Sequence, residues 1–391
     1  MTVFIYDAVR TPRGRARADG GLASIAPHEL VAQLTSAIEN RAGISRDRVD
    51  GLVLGCVGQV GAQGGNIAHI AKRAAALPDR AFAFSLNNFC ASGLTAIGQG
   101  AAAIASGNGE WLLAGGVESM SRVPFLADHA DYYADAAFPE RGRYFPVALA
   151  ADRLALSENV SRAELDAVAL RSQQRAREGE GSRALQRSRI PVKNAVGDMV
   201  LANDECLRPT TAEGLAKLAP AFAPLAESHR AIFGGDAFEH RHTIAHAPPM
   251  ADGAGLALIG KANDSKVRPR AKILAHAEVG GDPNAALTAG FAAMRVALQR
   301  AKLALNAIDR IEFMEAFGVT IAKFDRDCEV DPAKVNVAGG HLARGHALGA
   351  TGAILLSSLL DALDDANGTL GLVVVTGAAG VGAAMIVERV S

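Results

Sequence analysis

One unit is written twice in this sequence, and the repetition constrains the fold more than any other feature. In the first copy Ala81-Phe82-Ala83-Phe84-Ser85-Leu86 reads as a strand and Asn87-Asn88-Phe89-Cys90-Ala91-Ser92-Gly93 as a tight turn. Residues 94–105, rich in Ala and free of Pro, read as a buried helix, and Trp111-Leu112-Leu113-Ala114 as a return strand closed by Gly115-Gly116. In the second copy residues 346–352 open an apolar helix over 353–363. Asn367-Gly368 turns the chain, and Leu372-Val373-Val374-Val375-Thr376 is a strand closed by Gly377 and Gly380. Each copy places a reactive side chain, Cys90 or His346, at a helix start, followed by a return strand and a glycine turn. Two such halves packed face to face would bring Cys90 and His346 together.

The rest of the pattern fits around these copies. Val3-Phe4-Ile5-Tyr6 reads as an opening strand. Residues 27–42 have helical spacing at Leu30, Val31, Leu34 and Ile38 and stop at Gly43. Leu52-Val53-Leu54 is a strand, and residues 67–77 form a helix that ends before Pro78. Strands alternating with helices of this length predict an α/β fold built on a mostly parallel, layered sheet. From about residue 118 to 248 aromatics, charges and prolines rise and apolar strand runs disappear, which predicts a loop-rich lid over a cleft. Inside it residues 161–177 predict a helix, with Ser161 as cap, Glu164 at the capping-box position and Leu165, Val168, Ala169 and Ser172 on one face. Gly255-Leu256-Ala257-Leu258-Ile259 returns to buried-strand composition. Ile273-Leu274, a helix over 285–302 and the strand Ile311-Glu312-Phe313-Met314 begin the second half.

With 391 residues, 49% of them apolar, the chain can bury a large core in two or three lobes. A net charge of −1 with interspersed signs argues against a nucleic-acid or membrane-surface partner held by bulk electrostatics. No run of about 18 apolar residues predicts a membrane span, and Met1-Thr2-Val3-Phe4-Ile5-Tyr6-Asp7 is too short and too acidic for a signal peptide. Cys56, Cys90, Cys206 and Cys328 are widely spaced with no CxxC pair. They signal neither zinc nor a disulfide framework and fit a reducing, cytoplasmic setting.

Cys90 falls where a strand turns into a helix. Helix N-terminal amides are unpaired and partly positive, so a stabilised thiolate nucleophile is expected there; the alternative is a small buried hydrophobe. His346, between glycines at a helix start, is the candidate base. Cys56, Cys206 and Cys328 read as packing or incidental. His229, His240, His242 and His246 lack a firm ligand spacing, so no metal is expected.

The motifs resemble those of the thiolase family. Arg10-Thr11-Pro12-Arg13-Gly14 is similar to its opening signature, Asn88-Phe89-Cys90-Ala91-Ser92-Gly93-Leu94 to its nucleophile motif, and Gly115-Gly116-Val117-Glu118-Ser119-Met120-Ser121 to its glycine-rich strand end. Arg208-Pro209-Thr210-Thr211, the 215–222 stretch, Asp252-Gly253-Ala254, Glu315-Ala316-Phe317, Gly339-Gly340 and Gly345-His346 follow in the family's order. The tail over 378–388 is most similar to the β-subunits of fatty-acid oxidation complexes. The resemblance implies a duplicated five-layer αβαβα fold with an inserted loop domain. One half would take residues 1–118 with 249–263, the loop domain 119–248, and the other half 264–391. It also implies a homodimer or homotetramer, a possible fatty-acid oxidation partner subunit, and coenzyme A thioesters as substrates with no permanently bound cofactor. Cys90 would take the acyl group, His346 would activate it, and the backbone amides of Cys90 and Ala378 would hold the oxyanion. Arg208, Pro248 and Phe317 would contact substrate.

Several positions depart from the family's pattern. Thr376 stands where the family has a second cysteine that moves the α-proton of the acetyl unit, and a hydroxyl is a poor base at neutral pH. Met314 stands where an Asn or His precedes Glu315, and a thioether is only a weak acceptor. His246-Ala247-Pro248-Pro249-Met250 replaces small polar residues, residues 147–152 lack the usual Met-Gly and Glu, and an insertion carrying three of the histidines lies between Phe222 and His246. His341 is a candidate replacement acid or base, Glu315 a loop-orienting carboxylate, and Arg208 either a phosphate contact or a solvated arginine. The expected function is acyl transfer to or from coenzyme A. The alternatives are acyl transfer or thioester hydrolysis without the carbon–carbon step, and a non-catalytic subunit of an assembly.

Overall fold

The computed structural model describes residues 2–133, 137–138, 142–229, 239–261 and 267–390. Its strands are β1 (Val3–Arg10), β2 (Gly14–Arg15), β3 (Gly51–Gly55), β4 (Phe82–Leu86), β5 (Trp111–Glu118), β6 (Val192–Lys193), β7 (Met199–Leu201), β8 (Ala251–Lys261), β9 (Ala271–Gly280), β10 (Arg310–Phe313), β11 (Leu370–Thr376) and β12 (Val381–Arg389).

The main sheet runs β10-β11-β12-β9-β1-β8-β5-β3-β4. It divides at the β1–β9 junction, where only Phe4 and Ile5 pair with Lys272 and Ala271. On either side the pairing is the same. β3 lies parallel to β5, β5 antiparallel to β8 and β8 antiparallel to β1. Likewise β10 lies parallel to β11, β11 antiparallel to β12 and β12 antiparallel to β9. Even the parallel pairing of β3 with β4 has a remnant, a parallel bridge from Ile311 to Val335. The repetition read from sequence is therefore a repetition of topology. The expectation of a mostly parallel sheet is corrected: each half is mixed, because β11 returns directly into β12 through the 377–380 turn and β8 re-enters antiparallel after the loop excursion.

Helices Pro27–Ala42 and Ile67–Ala74 cover the outer side of the first half and helix Ala289–Ala301 that of the second. Helices Ser92–Ala105 and Thr351–Asp365 lie between the halves and pack on each other and on strands of their own half. This makes five layers. β11 reads as a continuous apolar run because both its faces are covered. The two central helices approach so closely that side chains have no room. A Cβ on Gly93 would lie 2.7 Å from the Gly349 oxygen, and one on Gly352 would lie 2.5 Å from the Leu94 nitrogen.

The inserted region carries helix Arg162–Glu180, with Ser161 and Glu164 forming the predicted capping box. It also carries helix Val147–Ser157 and the β6–β7 ribbon, which the reading of a loop-rich lid did not include. Its insertion falls partly on residues 230–238, and the boundary at 263/264 falls in 262–266; both lie outside the described residues. The region is tied to the core by Asp204. This carboxylate accepts from Arg10 (2.8 and 3.0 Å), from Arg344 (2.6 Å) and from the Arg13 backbone N–H (2.9 Å). Burial alone would raise its pKa, but Arg10, Arg13 and Arg344 hold it well below the usual range. Arg13 in turn donates to the Gly345 carbonyl (3.1 Å), so the cluster clamps the backbone entering His346.

Removing Asp204 strands these buried guanidinium groups. Asp204→Ala is expected to cost about 3–5 kcal/mol, the range for breaking a buried ion pair from one side, read as a lower denaturant midpoint.

Candidate active site

The corner that presents Cys90 is built by short side-chain bonds. β4 ends at Leu86, and Asn87 Oδ1 accepts from the Phe89 N–H (2.9 Å), while Ser92 Oγ accepts from Asn88 N–H (2.8 Å) and donates to the Phe89 carbonyl (2.6 Å). These bonds hold Phe89 in the left-handed region, φ 46°, a conformation that costs energy in a non-glycine residue and turns Cys90 into the interior. Helix Ser92–Ala105 begins two residues later. His346 follows Gly345, whose φ of 93° suits glycine. Its backbone is pinned on both sides, N–H to the Pro249 carbonyl (2.8 Å) and carbonyl from the Ala251 N–H (3.1 Å). It precedes the apolar helix by five residues rather than starting it, since that helix begins at Thr351.

The imidazole bridges the two halves. Nε2 lies 3.2 Å from Cys90 Sγ and Nδ1 lies 2.7 Å from Thr351 Oγ1. For Nε2 to accept the thiol proton, Nδ1 carries the ring hydrogen and gives it to Thr351. Burial pushes the Cys90 thiol up to about 12, although the backbone N–H groups of Ala378 and of Cys90 itself, aimed at the sulfur, act against the shift. Burial, with the nearby Arg13 charge, pushes His346 down to about 3. The expected resting thiolate is thus overturned: desolvation outweighs the helix-end amides, and the pair rests as neutral thiol and neutral imidazole.

Cys90 and His346 open on a cavity of about 420 Å³. Met314, Phe317, Pro248, Thr376 and Ala378 all line it. The turn at Gly377 presses on the nucleophile, since a Cβ there would sit 3.3 Å from Cys90 Sγ. Thr376 Oγ1 is buried with no hydrogen-bond partner. Arg208 lies elsewhere, in a second cleft of about 310 Å³ with Gln173, Thr210, Thr211 and Ile244. His341 does not line the chamber either. It is buried edge-on against the His346 ring (centroids 5.5 Å apart), with both nitrogens unpartnered and its pKa pushed well down by burial, Arg13 and His346. It therefore does not reach the chamber as the replacement acid or base expected from the sequence. Glu315 accepts from Ser172 (2.6 Å), from the Leu342 N–H (3.0 Å) and from Asn336 (3.3 Å), as suits an orienting carboxylate.

Of the loop histidines, His229 lines the chamber. His240 and His242 face Asp152 at 2.8 and 2.7 Å, and His246 faces Asp166 at 2.7 Å. Among the described residues no three His, Cys, Asp or Glu side chains form a metal-holding group. Three contributors escaped the sequence reading. Thr351 holds the imidazole at Nδ1, and its signal was its place at i+5 from His346. Glu118 accepts from the Val57, Gly58 and Gly349 N–H groups at 2.9–3.0 Å and so ties the halves together beneath the site. Tyr144, which lines the chamber, had no motif to mark it.

Family comparison matches residues 3–226 to the thiolase N-terminal domain and residues 267–389 to the thiolase C-terminal domain. The chain is 35% identical to the beta-ketoadipyl-CoA thiolase of Pseudomonas aeruginosa, covering 99% of each. It is 32% identical to the acetyl-CoA acetyltransferase of Shinella zoogloeoides, covering 95% of each, and 32% identical to a steroid 3-ketoacyl-CoA thiolase of Mycobacterium tuberculosis, covering 99% of this chain and 94% of the relative. The crystal structure of the Bacillus anthracis acetyl-CoA acetyltransferase superposes with a TM-score of 0.86 at 27% identity, covering 100% of this chain and 99% of that one.

A neutral resting pair has a kinetic signature. Alkylation by iodoacetamide proceeds through the thiolate, so its rate at Cys90 is expected to climb about tenfold per unit from about pH 7 to about pH 10. Mass spectrometry of the Cys90 peptide measures this. A rate that is flat across that range would mean a resting thiolate–imidazolium pair.

Proposed function

The chain belongs to the thiolase family and is an acyl-CoA acyltransferase, and from that premise we propose that Cys90 takes the acyl group and His346 alone carries its proton. The observation that carries this reading is the 3.2 Å contact between Nε2 and Sγ inside a buried chamber. As Sγ attacks the carbonyl carbon, Nε2 takes the thiol proton, and the negative oxygen meets the N–H groups of Cys90 and Ala378. With a 3-ketoacyl thioester, the bond between C2 and C3 then breaks. Its electron pair becomes the enolate of the departing acetyl-CoA, and the imidazolium returns the proton to C2. In the second half-reaction the thiol of coenzyme A loses its proton to His346 and attacks the acyl carbon, and Cys90 leaves and is reprotonated. The proton ledger closes on one histidine, which matters because Thr376 offers a hydroxyl where a thiol would serve as acid and base.

The substrates in this reading are coenzyme A thioesters, with no resident cofactor. Among the described residues no Lys or Arg lines the chamber, which supports an uncharged acyl group rather than the second carboxylate that the name of the beta-ketoadipyl-CoA relative carries. Arg208, beside Thr210 and Thr211 in its own cleft, suits a phosphate of coenzyme A outside the chamber. The division into halves at 1–118 with 249–263 and at 264–391, around a loop domain at 119–248, is supported by the repeated strand pairing. Assembly with a second copy is supported by the edge strand β4, where Phe84 is 42% exposed and stacks with Phe82. A fatty-acid oxidation subunit is a further candidate partner. A reducing, cytoplasmic setting is supported by four free cysteines. Among the described residues no helix is long and apolar enough to cross a membrane.

Incubation with acetyl-CoA or a 3-ketoacyl-CoA is expected to leave a mass-shifted acyl adduct on Cys90, lost in Cys90→Ala; an unmodified Cys90 under turnover conditions sinks the reading. Loss of the base in His346→Ala is expected to lower turnover by about 10²–10⁴-fold. Thr376→Cys restores a second thiol and is expected to raise the rate of acetyl-CoA condensation by about tenfold or more, measured as acetoacetyl-CoA formed. An unchanged rate would show that the missing thiol does not limit that direction.

A further inference from the structure

Breaking or making the carbon–carbon bond places negative charge on the oxygen of the two-carbon unit, and a chamber lined by apolar side chains must supply a donor for it. Met314 has no hydrogen to give. Among the described lining residues, polar side-chain groups come from Cys90, His346, Thr376, His229 and Tyr144. Cys90 and His346 hold each other in the resting site, and once the thiol proton is on Nε2 it is committed to C2. His229 turns Nδ1 to the Leu225 carbonyl (2.9 Å) within its own helix turn. Thr376 packs its Cβ against helix Ala289–Ala301, 3.0 Å from where a Cβ of Gly290 would be, and its Oγ1 is buried without a partner. Tyr144 differs from all of these. It is 4% exposed. Its backbone N–H donates to the Tyr132 carbonyl at 3.0 Å, and its ring packs edge-on against Tyr132 and Tyr133 at 6.3 and 5.3 Å. The Val147 backbone N–H lies close to the phenol oxygen and opposes the rise of its pKa. Burial, with the neighbouring Cys90, pushes the phenol pKa up, so the proton stays on oxygen.

We propose that Tyr144 is a catalytic residue whose phenol O–H donates a hydrogen bond to the enolate oxygen of the departing or attacking acetyl-CoA, in the place where Met314 has no donor. The proposal rests on the acyltransferase reading above and adds a residue to it. No net proton moves through Tyr144: the electron pair of the breaking bond is delocalised onto the enolate oxygen, the phenol stabilises it, and His346 supplies the proton at C2.

The test separates the two half-reactions in Tyr144→Phe, which keeps the ring and its packing. Acylation of Cys90 by acetyl-CoA makes no enolate, whereas cleavage of a 3-ketoacyl-CoA does. The acylation rate, followed by mass, is expected to stay within about threefold of the parent, while the kcat of cleavage falls by about a hundredfold, the size of losing one oxyanion donor. Exchange of the acetyl-CoA C2 hydrogens with deuterated solvent on the enzyme, an independent readout of enolate formation, is expected to slow by a similar factor. Equal loss in both half-reactions would make Tyr144 structural, and cleavage and exchange at the parent rate would make it a bystander; either overturns the proposal. Absence of any Cys90 adduct in the parent protein would remove the underlying reading and the proposal with it, and is told apart by that control.

Discussion

The structure turns on the approach of two helix starts, one from each copy of the repeated unit. Where Ser92–Ala105 meets Thr351–Asp365, glycines at 93 and 352 allow backbone to lie against backbone with no space for a side chain. Cβ atoms on Gly116 and Gly255 would likewise collide with the second half, at 2.2 Å from the Gly349 oxygen and 2.7 Å from the Ile354 nitrogen. Glu118 stitches the same seam by accepting from amides on both sides of it. A single added methyl group at these positions would push the halves apart. The contact that carries the chemistry spans that seam, with Cys90 on one side and His346 on the other.

Burial at the seam sets the chemical state of the pair. A cysteine beside helix-end amides in water would lose its proton readily, but here the cost of an unsolvated anion dominates. The imidazole is subject to the same cost and also to the Arg13 charge. Both groups stay neutral until a substrate carbonyl accepts the electron pair, so charge develops only together with its stabilising N–H groups. The positive cluster of Arg10, Arg13 and Arg344 on Asp204 serves this arrangement from behind, holding the Gly345 carbonyl and therefore the ring that follows.

Much of this was legible beforehand. The doubled strand–turn–helix unit, the capping box at Ser161 and the positions of Cys90, His346, Ala378, Thr376 and Met314 rest on local pattern or on motif order, and neither requires knowing distances. Other features resisted reading for identifiable reasons. Val147–Ser157 is a helix whose buried face is largely Ala and Leu and whose N-cap, Pro146, makes no side-chain bond, so it lacks a start signal. His341 looked suited to acid–base work because it is near His346 in sequence, yet four residues of turn place it behind the ring rather than in the chamber. Arg208 is close to the loop motifs but opens on another cleft. Tyr144 belongs to a segment rich in aromatics, and only the fold shows which of them lines the chamber.

The sequence by itself determined that two similar α/β halves exist and that a cysteine and a histidine stand at matching corners of them. These are properties of residue identity and of periodicity, which the chain carries unfolded. Only the tertiary structure decided that the corners meet at 3.2 Å, that the pair rests uncharged and that the chamber is apolar with one phenol among its walls. Each of those depends on how much water is excluded and on which distant segments converge, and desolvation and proximity arise only when the halves close on each other.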